Sequence, residues 1–271
     1  MGRAPMVSIV LSARDESARI GAAVESILAQ TFAEWELIVV DDGSRDDTAA
    51  VVEALDDSRI RVLRRSPRGL ATSLNEGISL ARSPYVARQD ADDRSLPDRL
   101  EVQLSFLRSR PDIAVAGSAW IEVGPDGRVV RPRTPFVPGR VNAILSHFNP
   151  LTHTSVMFRK DAFDRVGGYD ETLRCAQDYD LWLRLDHAGE TIWNLPETLV
   201  VRSMTGENIA AKRERALLRQ ELLIRWRDLR RRREAGLPVA RDVWTLACRA
   251  PVLAAPIPLR RLRRRAHGEA P

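Results

Sequence analysis

Between residues 7 and 90 the apolar residues change period repeatedly, from short continuous runs to helical spacing and back, and few folds accommodate such a pattern. Val7-Ser8-Ile9-Val10-Leu11 reads as a buried strand. Ile20, Ala23, Val24, Ile27 and Leu28 then share one helical face, with Ser17 placed to cap that helix. Trp35-Glu36-Leu37-Ile38-Val39-Val40 is a second strand closing in Asp41; Gly43 and Ser44 supply a turn, and Asp46 or Asp47 starts a helix through Leu55. Ile60-Arg61-Val62-Leu63 is a short third strand, a helix follows near Ala71 to Ala81, and residues 84–89 form a fourth strand. The order βαβαβαβ predicts an α/β chain with a mostly parallel sheet covered on both faces.

Two of these strands end in carboxylates, at Asp41-Asp42 and at Asp90-Ala91-Asp92-Asp93. Charges packed that closely repel one another unless a cation, or a ligand that carries one, neutralises them. Open α/β sheets bind ligands beyond the carboxyl ends of their strands, so the two acidic ends imply one crevice.

Past the acidic cluster, Pro97 stands where a helix begins, with Leu100, Leu104 and Leu107 as its buried stripe. Strands are expected at 113–118, at 120–123 and over Ser155-Val156-Met157-Phe158. Pro125-Asp126-Gly127 forms a hairpin turn before Val129-Val130, and Gly167-Gly168-Tyr169 another turn. A helix from Asp180 to His187 turns Leu181, Trp182 and Leu185 inward. Residues 208–234 form one arginine-laden helical stretch, and 236–271 are basic and punctuated by proline. There is no internal repeat. The expected division is a catalytic domain over residues 1–207 and a basic amphipathic tail over 208–271.

The 271 residues are 44% hydrophobic, enough for a full core. No run of 18 apolar residues occurs and residues 1–12 lack the regions of a signal peptide, so a cytoplasmic protein is expected. Cys175 and Cys248 suggest neither a metal knuckle nor a disulfide framework. Charge is segregated: residues 212–271 hold 17 basic and 6 acidic residues, net +11, whereas residues 1–211 hold 25 and 31, net −6. The tail therefore has its own anionic partner, either a membrane surface or nucleic acid. It lacks the interleaved aromatics of single-strand binders. Its leucines, Ile224 and Trp226 among arginines, followed by Arg260, Arg261 and Arg263 to Arg265, have the make-up of an interfacial segment, so an anionic membrane surface is expected and nucleic acid is not. The competing expectation is that the 212–234 helix packs its apolar residues on the catalytic domain.

Several motifs stand in a telling order: Asp15-Glu16, Ser26-Ile27-Leu28-Ala29-Gln30-Thr31, Asp41-Asp42-Gly43-Ser44, Leu74-Asn75-Glu76-Gly77-Ile78, Ala87-Arg88-Gln89-Asp90-Ala91-Asp92-Asp93 and Ser95-Leu96-Pro97-Asp98-Arg99-Leu100. His153-Thr154-Ser155-Val156-Met157-Phe158-Arg159, Val166-Gly167-Gly168-Tyr169-Asp170-Glu171 and Gln177-Asp178-Tyr179-Asp180-Leu181-Trp182-Leu183-Arg184 follow. Over residues 7–203 the chain resembles the inverting nucleotide-sugar glycosyltransferases of family 2. The resemblance implies the Rossmann-like GT-A fold, with a mostly parallel mixed sheet flanked by helices.

It also implies site roles. Asp90 and Asp92 match the family's DxD pair, Asp90 at the ribose and both at Mg²⁺ or Mn²⁺ bound through the diphosphate. Asp41 matches the position that hydrogen-bonds the base of a uridine nucleotide, and Glu16 lies on the loop that wraps the nucleoside, with Asp42 as a support. Asp178 matches the general base that takes the acceptor hydroxyl's proton, and Asp180 is the alternative. Asp93, Arg88, Asn75 and His153 are pocket candidates without an assigned role. The implied reaction moves a sugar, most simply from a UDP-sugar, to a saccharide or lipid-linked acceptor in surface polysaccharide assembly, by an enzyme peripheral to the inner face of the membrane. Two departures bear on it. Gln177 stands where relatives carry Glu, and Arg202-Ser203-Met204 where many carry Arg-x-His; a thioether is a poor ligand for either ion.

Taken singly, Asp41-Asp42-Gly43-Ser44 is also an adequate turn and cap, Asp90 to Asp93 a solvated loop, Asp178 a helix cap, and His153 a hydrogen-bonded structural histidine. Their joint order is what a chance set of caps does not reproduce. Two other classes compete: a nucleotidyltransferase, against which residues 7–17 offer no glycine-rich phosphate loop, and a non-catalytic sugar-nucleotide sensor or scaffold, against which Asp90, Asp92 and Asp178 are intact.

Overall fold

A computed structural model describes residues 4–124, 126–130, 136–204 and 209–236, with side chains of the last helix described from Arg219 onward. In chain order the elements are β1 (Val7–Ala13), α1 (Ile20–Leu28), β2 (Trp35–Asp41), α2 (Thr48–Glu53), β3 (Ile60–Arg64), α3 (Leu70–Ser79), β4 (Tyr85–Asp90), β5 (Arg94–Ser95) and α4 (Arg99–Ser109). Then come β6 (Ile113–Val123), β7 (Val129–Val130), β8 (Gly139–Arg140), β9 (Met157–Arg159), α5 (Lys160–Arg165), α6 (Gln177–His187), β10 (Thr191–Ser203) and α7 (Ile209–Glu234).

The sheet runs β3-β2-β1-β4-β9-β6-β10-β5, with β7 beside β6 and β8 beside β10. Its long pairings, β3 with β2, β2 with β1, β1 with β4 and β6 with β10, are parallel; β9 joins the two halves by short antiparallel contacts with β4 and β6. The expected α/β sheet is thus present, and mixed. The chain steps from β1 outward through β2 to β3, then returns so that β4 lies on the other side of β1. That reversal is a topological switch point, where a crevice opens beyond the strand ends. Its register sets Ala13 opposite Asp41 and Ser12 opposite Asp90.

Both sheet faces are covered. Val7, Ile9 and Leu11 pack with Ile20, Val24 and Ile27 of α1 and Leu100, Leu104 and Leu107 of α4. Val10 and Val86 pack with Leu74 and Ile78 of α3 and Leu181 and Trp182 of α6. A Cβ at Gly77 would lie 2.6 Å from Val10 Cγ1 and 3.2 Å from Val40 Cγ2, so the glycine of the Asn75-Glu76-Gly77 motif lets α3 approach the sheet closely.

Several boundaries differ from the expected ones. Ser17 does not cap α1, which starts at Ile20; its backbone N–H donates to Asp46 Oδ2 (3.0 Å), tying the first loop to the second. Helix α2 ends at Glu53, before Leu55, and the strands expected at 113–118 and 120–123 are one strand, β6. Residues 153–155 form a 3-10 turn and the strand there begins at Met157. Helix α6 starts at Gln177 rather than Asp180, so Asp178 lies inside the first turn and is not its cap. Pro125 of the hairpin turn, residues 205–208 and residues 237–271 of the tail lie outside the described residues.

Candidate active site

The acidic loop hangs on a buried guanidinium. Arg99, the first residue of α4, is 1% exposed and has no carboxylate among its hydrogen-bond partners. Its Nε donates to Gln103 Oε1 (3.1 Å), Nη1 to Gln89 Oε1 and Ser95 Oγ (both 2.9 Å), and Nη2 to the carbonyls of Arg88 (2.7 Å) and Val156 (3.2 Å). Gln89 Nε2 in turn donates to the carbonyls of Asp93 (2.8 Å) and Asp90 (3.1 Å), and Gln103 Nε2 to those of Ala116 and Ser155 (both 2.8 Å). One network therefore fixes the end of β4, the loop, α4, β6 and the approach to β9. Burial and the neighbouring Arg88 charge pull the Arg99 pKa down to about 9, opposed by Asp93 and Asp90.

On that frame Asp90, Asp92 and Asp93 each offer a carboxylate oxygen, all within 4.8 Å of one another. Asp90 is half-buried and ion-paired with the buried Arg88. Asp93 is 3% exposed; its Oδ1 accepts from Ser203 N–H (3.0 Å) and its Oδ2 lies 3.9 Å from Arg202 Nε. Burial, then the charges of Asp90 and Asp92, push the Asp93 pKa up to about 7, and burial with the Asp90 charge also raises Asp92. Glu16 joins the group from the loop after β1: burial raises its pKa first, Arg19 opposes, and Asp92 and Asp90 add to the rise. Hard oxygen donors this close, with the Asp92 and Asp93 carboxyls raised by burial and neighbouring charge, fit Mg²⁺ or Mn²⁺. Asp93 is committed to Ser203 and Arg202, and Asp90 to Arg88.

Asp41 is buried at the end of β2, and its Oδ1 accepts from Ser44 N–H (2.9 Å). Asp42 closes the loop before α3, accepting from Arg68 N–H (2.7 Å), Gly69 N–H (2.9 Å) and Ser73 Oγ (3.0 Å).

Asp178 is half-buried in the first turn of α6, where the helix dipole favours a carboxylate. Its Oδ2 accepts from Asn149 Nδ2 (2.8 Å). Burial raises its pKa, which Asn149, the Tyr179 backbone and Arg88 counteract. Asp180, the alternative base, is buried and paired with Arg184 Nε (2.7 Å), which leaves it a structural role. His153 bonds the Tyr169 hydroxyl through Nε2 (2.8 Å) and stands edge-on to Tyr169 and Trp182; burial and Arg88 hold its pKa well below the usual range, so it is a neutral wall. Asn75 staples α3 to the turn at Tyr169: its side chain donates to the Tyr169 carbonyl and Glu171 (both 2.9 Å) and accepts from Tyr169 N–H (2.9 Å).

The structure thus brings Glu16, Asp90 and Asp92 together and links Asp178 to Asp90 through Arg88, with Asp41 on the far side of β1. Sequence reading had no role for Arg99 and did not find Asn149. Arg99 was visible only as one letter of a motif; Asn149 lies 29 residues from its partner, with no local pattern to mark it.

The chain matches the model of glycosyl transferase family 2 over residues 8–167. It belongs to that family. EpsE of Bacillus subtilis (strain 168) is 35% identical over 208 residues, 73% of each chain, and the amylovoran biosynthesis glycosyltransferase AmsE of Erwinia amylovora 30% identical over 213 residues, 77% of this chain and 79% of its own. The crystal structure of S. aureus TarS 1-349 in complex with UDP-GlcNAc superposes with a TM-score of 0.70 at 19% identity, over 89% of this chain and 70% of TarS 1-349, which shows the shared GT-A fold. As a family 2 glycosyltransferase the protein is a sugar-transferring enzyme, and the nucleotidyltransferase and scaffold alternatives fall away.

The Asp93 carboxyl makes stability depend on pH in an unusual direction. Between its unfolded value of 3.8 and its folded value of about 7 the folded chain keeps a proton that the unfolded chain releases, so this group's contribution falls as pH rises through that window. Asp93→Asn keeps an acceptor for Ser203 and removes the charge. In metal-free buffer its melting temperature should rise relative to the parent between pH 4 and 7, as read by calorimetry. A constant or shrinking difference would show that the buried charge is compensated.

Proposed function

We propose that this family 2 glycosyltransferase moves a sugar from a UDP-sugar to a saccharide or lipid-linked acceptor with inversion, with Asp178 as general base. The observation that carries this reading is the carboxylate cluster of Asp90, Asp92 and Asp93, within 4.8 Å of one another beyond β4 at the switch point of the sheet, with Arg88, the buried partner of Asp90, near enough to Asp178 to act on it. Asp41 holds the base edge, Glu16 closes over the nucleoside, and Asp90 holds the ribose. Mg²⁺ or Mn²⁺ bound by Asp90 and Asp92 would neutralise the charge that develops on the diphosphate. As the acceptor oxygen bonds to the anomeric carbon, the bond from that carbon to the diphosphate breaks and its electron pair leaves on the phosphate. The hydroxyl proton passes to Asp178, whose raised pKa suits it to receive one. Met204 follows directly on the Ser203 that binds Asp93 and offers no hard donor, so Asp90 and Asp92 would be the protein groups that hold the cation.

A role in surface polysaccharide assembly is supported by AmsE and by the O-antigen biosynthesis glycosyltransferase WbnJ of Escherichia coli, 28% identical over 202 residues. The reading extends to a cytoplasmic enzyme held at the inner face of the membrane by residues 208–271. Among the described residues no helix is long and apolar enough to cross a membrane. Ile224 is buried, against the expectation that it faces lipid, whereas Leu223 is 40% and Trp226 50% exposed on a stripe with Arg219, Arg230 and Arg233. Tryptophan among arginines suits an anionic interface, with each basic residue adding about 1 kcal/mol.

Three outcomes are expected. Asp178→Asn should keep UDP affinity and lower turnover about 10²- to 10⁴-fold in a steady-state assay; near-normal transfer would remove Asp178 as the base. By calorimetry, Asp92→Ala should lose the part of UDP affinity that depends on Mn²⁺, and equal affinity of the parent with and without chelator would count against a cation site. The full chain should co-sediment with acidic vesicles at low salt, and less so at high salt. Equal, weak binding by the full chain and by one ending near residue 235 would leave the distal tail without a membrane role.

A further inference from the structure

Helix α7 begins beyond the residues matched by the family model, yet it grips both segments that meet at Asp178. The first segment runs from Val141 to Asn149 and delivers the Asn149 amide to the Asp178 carboxylate. Its carbonyls at Ser146 and His147 both accept from the guanidinium of Arg225, through Nη1 (3.1 Å) and Nη2 respectively. Arg225 is only 7% exposed, and its guanidinium carbon sits 5.5 Å from the ring centre of Tyr179, the residue after Asp178. The Tyr179 hydroxyl donates to the Leu145 carbonyl of the same segment (2.5 Å).

The second segment runs from Asp170 to Ala176 and launches α6. Ala176 has φ 55°, a left-handed conformation that costs a non-glycine residue of order 1 kcal/mol and persists only where its surroundings enforce it. The enforcement comes from α7. Gln220 Oε1 accepts from both the backbone N–H (2.6 Å) and the Sγ (2.7 Å) of Cys175, and Arg227 Nη1 pairs with Asp170 Oδ2 (2.9 Å). At the other end of α6, Asp228 meets His187 Nε2 (2.6 Å).

We propose that Gln220 and Arg225 of α7 are positioning residues for Asp178, so that this helix is a working part of the transferase rather than a separate tail. The proposal rests on the assignment of Asp178 as the base. Arg225 sets the place of Asn149 and Gln220 the entry into α6, and together they aim the carboxylate at the acceptor hydroxyl. Small misplacement at a reacting centre costs up to about 10²-fold in rate, so a structural contact at this distance is felt in turnover. Burial raises the Asp178 pKa, and the Asn149 amide limits that rise, with Arg88 acting in the same direction as the amide and Tyr169 the other titratable group beside it.

The test compares Arg225→Met, Arg225→Lys and Gln220→Leu in the full chain, with Asp178→Asn alongside. Each folded variant should bind UDP as the parent does and lose about 10- to 100-fold in turnover. The acid limb of the kcat profile, where the base must ionise, should move to higher pH in Arg225→Met as the Asn149 hydrogen bond loosens, and Arg225→Lys should restore part of both effects. A merely structural role would lower the folded fraction without moving that limb. Gln220→Leu carries the test if Arg225→Met does not fold. An inactive Asp178→Asn together with unmoved limbs and parental turnover in the α7 variants would overturn the positioning role alone. An active Asp178→Asn would overturn the base assignment first.

Discussion

Everything in the crevice depends on the burial of Arg99. A guanidinium removed from water without a carboxylate is costly, and it persists only where every donor is met. Here its three nitrogens reach five neutral acceptors on four different segments. The return is rigidity in a loop that needs it: three carboxylates within 4.8 Å would otherwise drive the chain apart. Gln89 and Ser95 extend the same network into that loop, and the backbone N–H of Ser203 and the guanidinium of Arg202 close it from β10. The protein's own groups thus hold the shape of the loop, as electrostatic catalysis requires.

Arg88 plays a different part. It pairs with Asp90 on one side and moderates the rise that burial gives Asp178 on the other, and it adds to the burial that holds His153 neutral. On the proposed assignment, a single buried cation stands between the carboxylate on the leaving-group side and the one on the acceptor side. Asp180 shows the contrast: two residues from Asp178 on the same helix, it is taken up by Arg184 and has no part in the crevice.

The first half of the fold was legible because its strands and helices differ in period, and the ends of β2 and β4 announce themselves by their carboxylates. Strand β10 was legible only beyond Pro196 and Glu197, which interrupt it; the structure absorbs them in an irregularity between Leu195 and Thr198. Ser17 looked like a cap and instead ties its loop to Asp46, whose other carboxylate oxygen accepts from Thr48 N–H at the start of α2, a use that local propensity does not distinguish. Arg225 and Asp228 gave no sign of being buried, since their partners are the carbonyls of Ser146 and His147 and the ring of His187, far away in sequence. Pattern reading finds apolar faces, whereas polar side chains that bind distant backbone leave no period.

The central claim is that the loop held by Arg99 and the start of α6 form the two sides of one donor and acceptor site. A crystal of the full chain with UDP and Mn²⁺ tests it most directly, with the ion located by its anomalous scattering. The ion should lie against the Asp90 and Asp92 carboxylates and the diphosphate, the uracil beside Asp41, and the Asp178 carboxylate across the open end of the diphosphate. Manganese or UDP bound elsewhere, or a diphosphate turned away from Asp178, would contradict it.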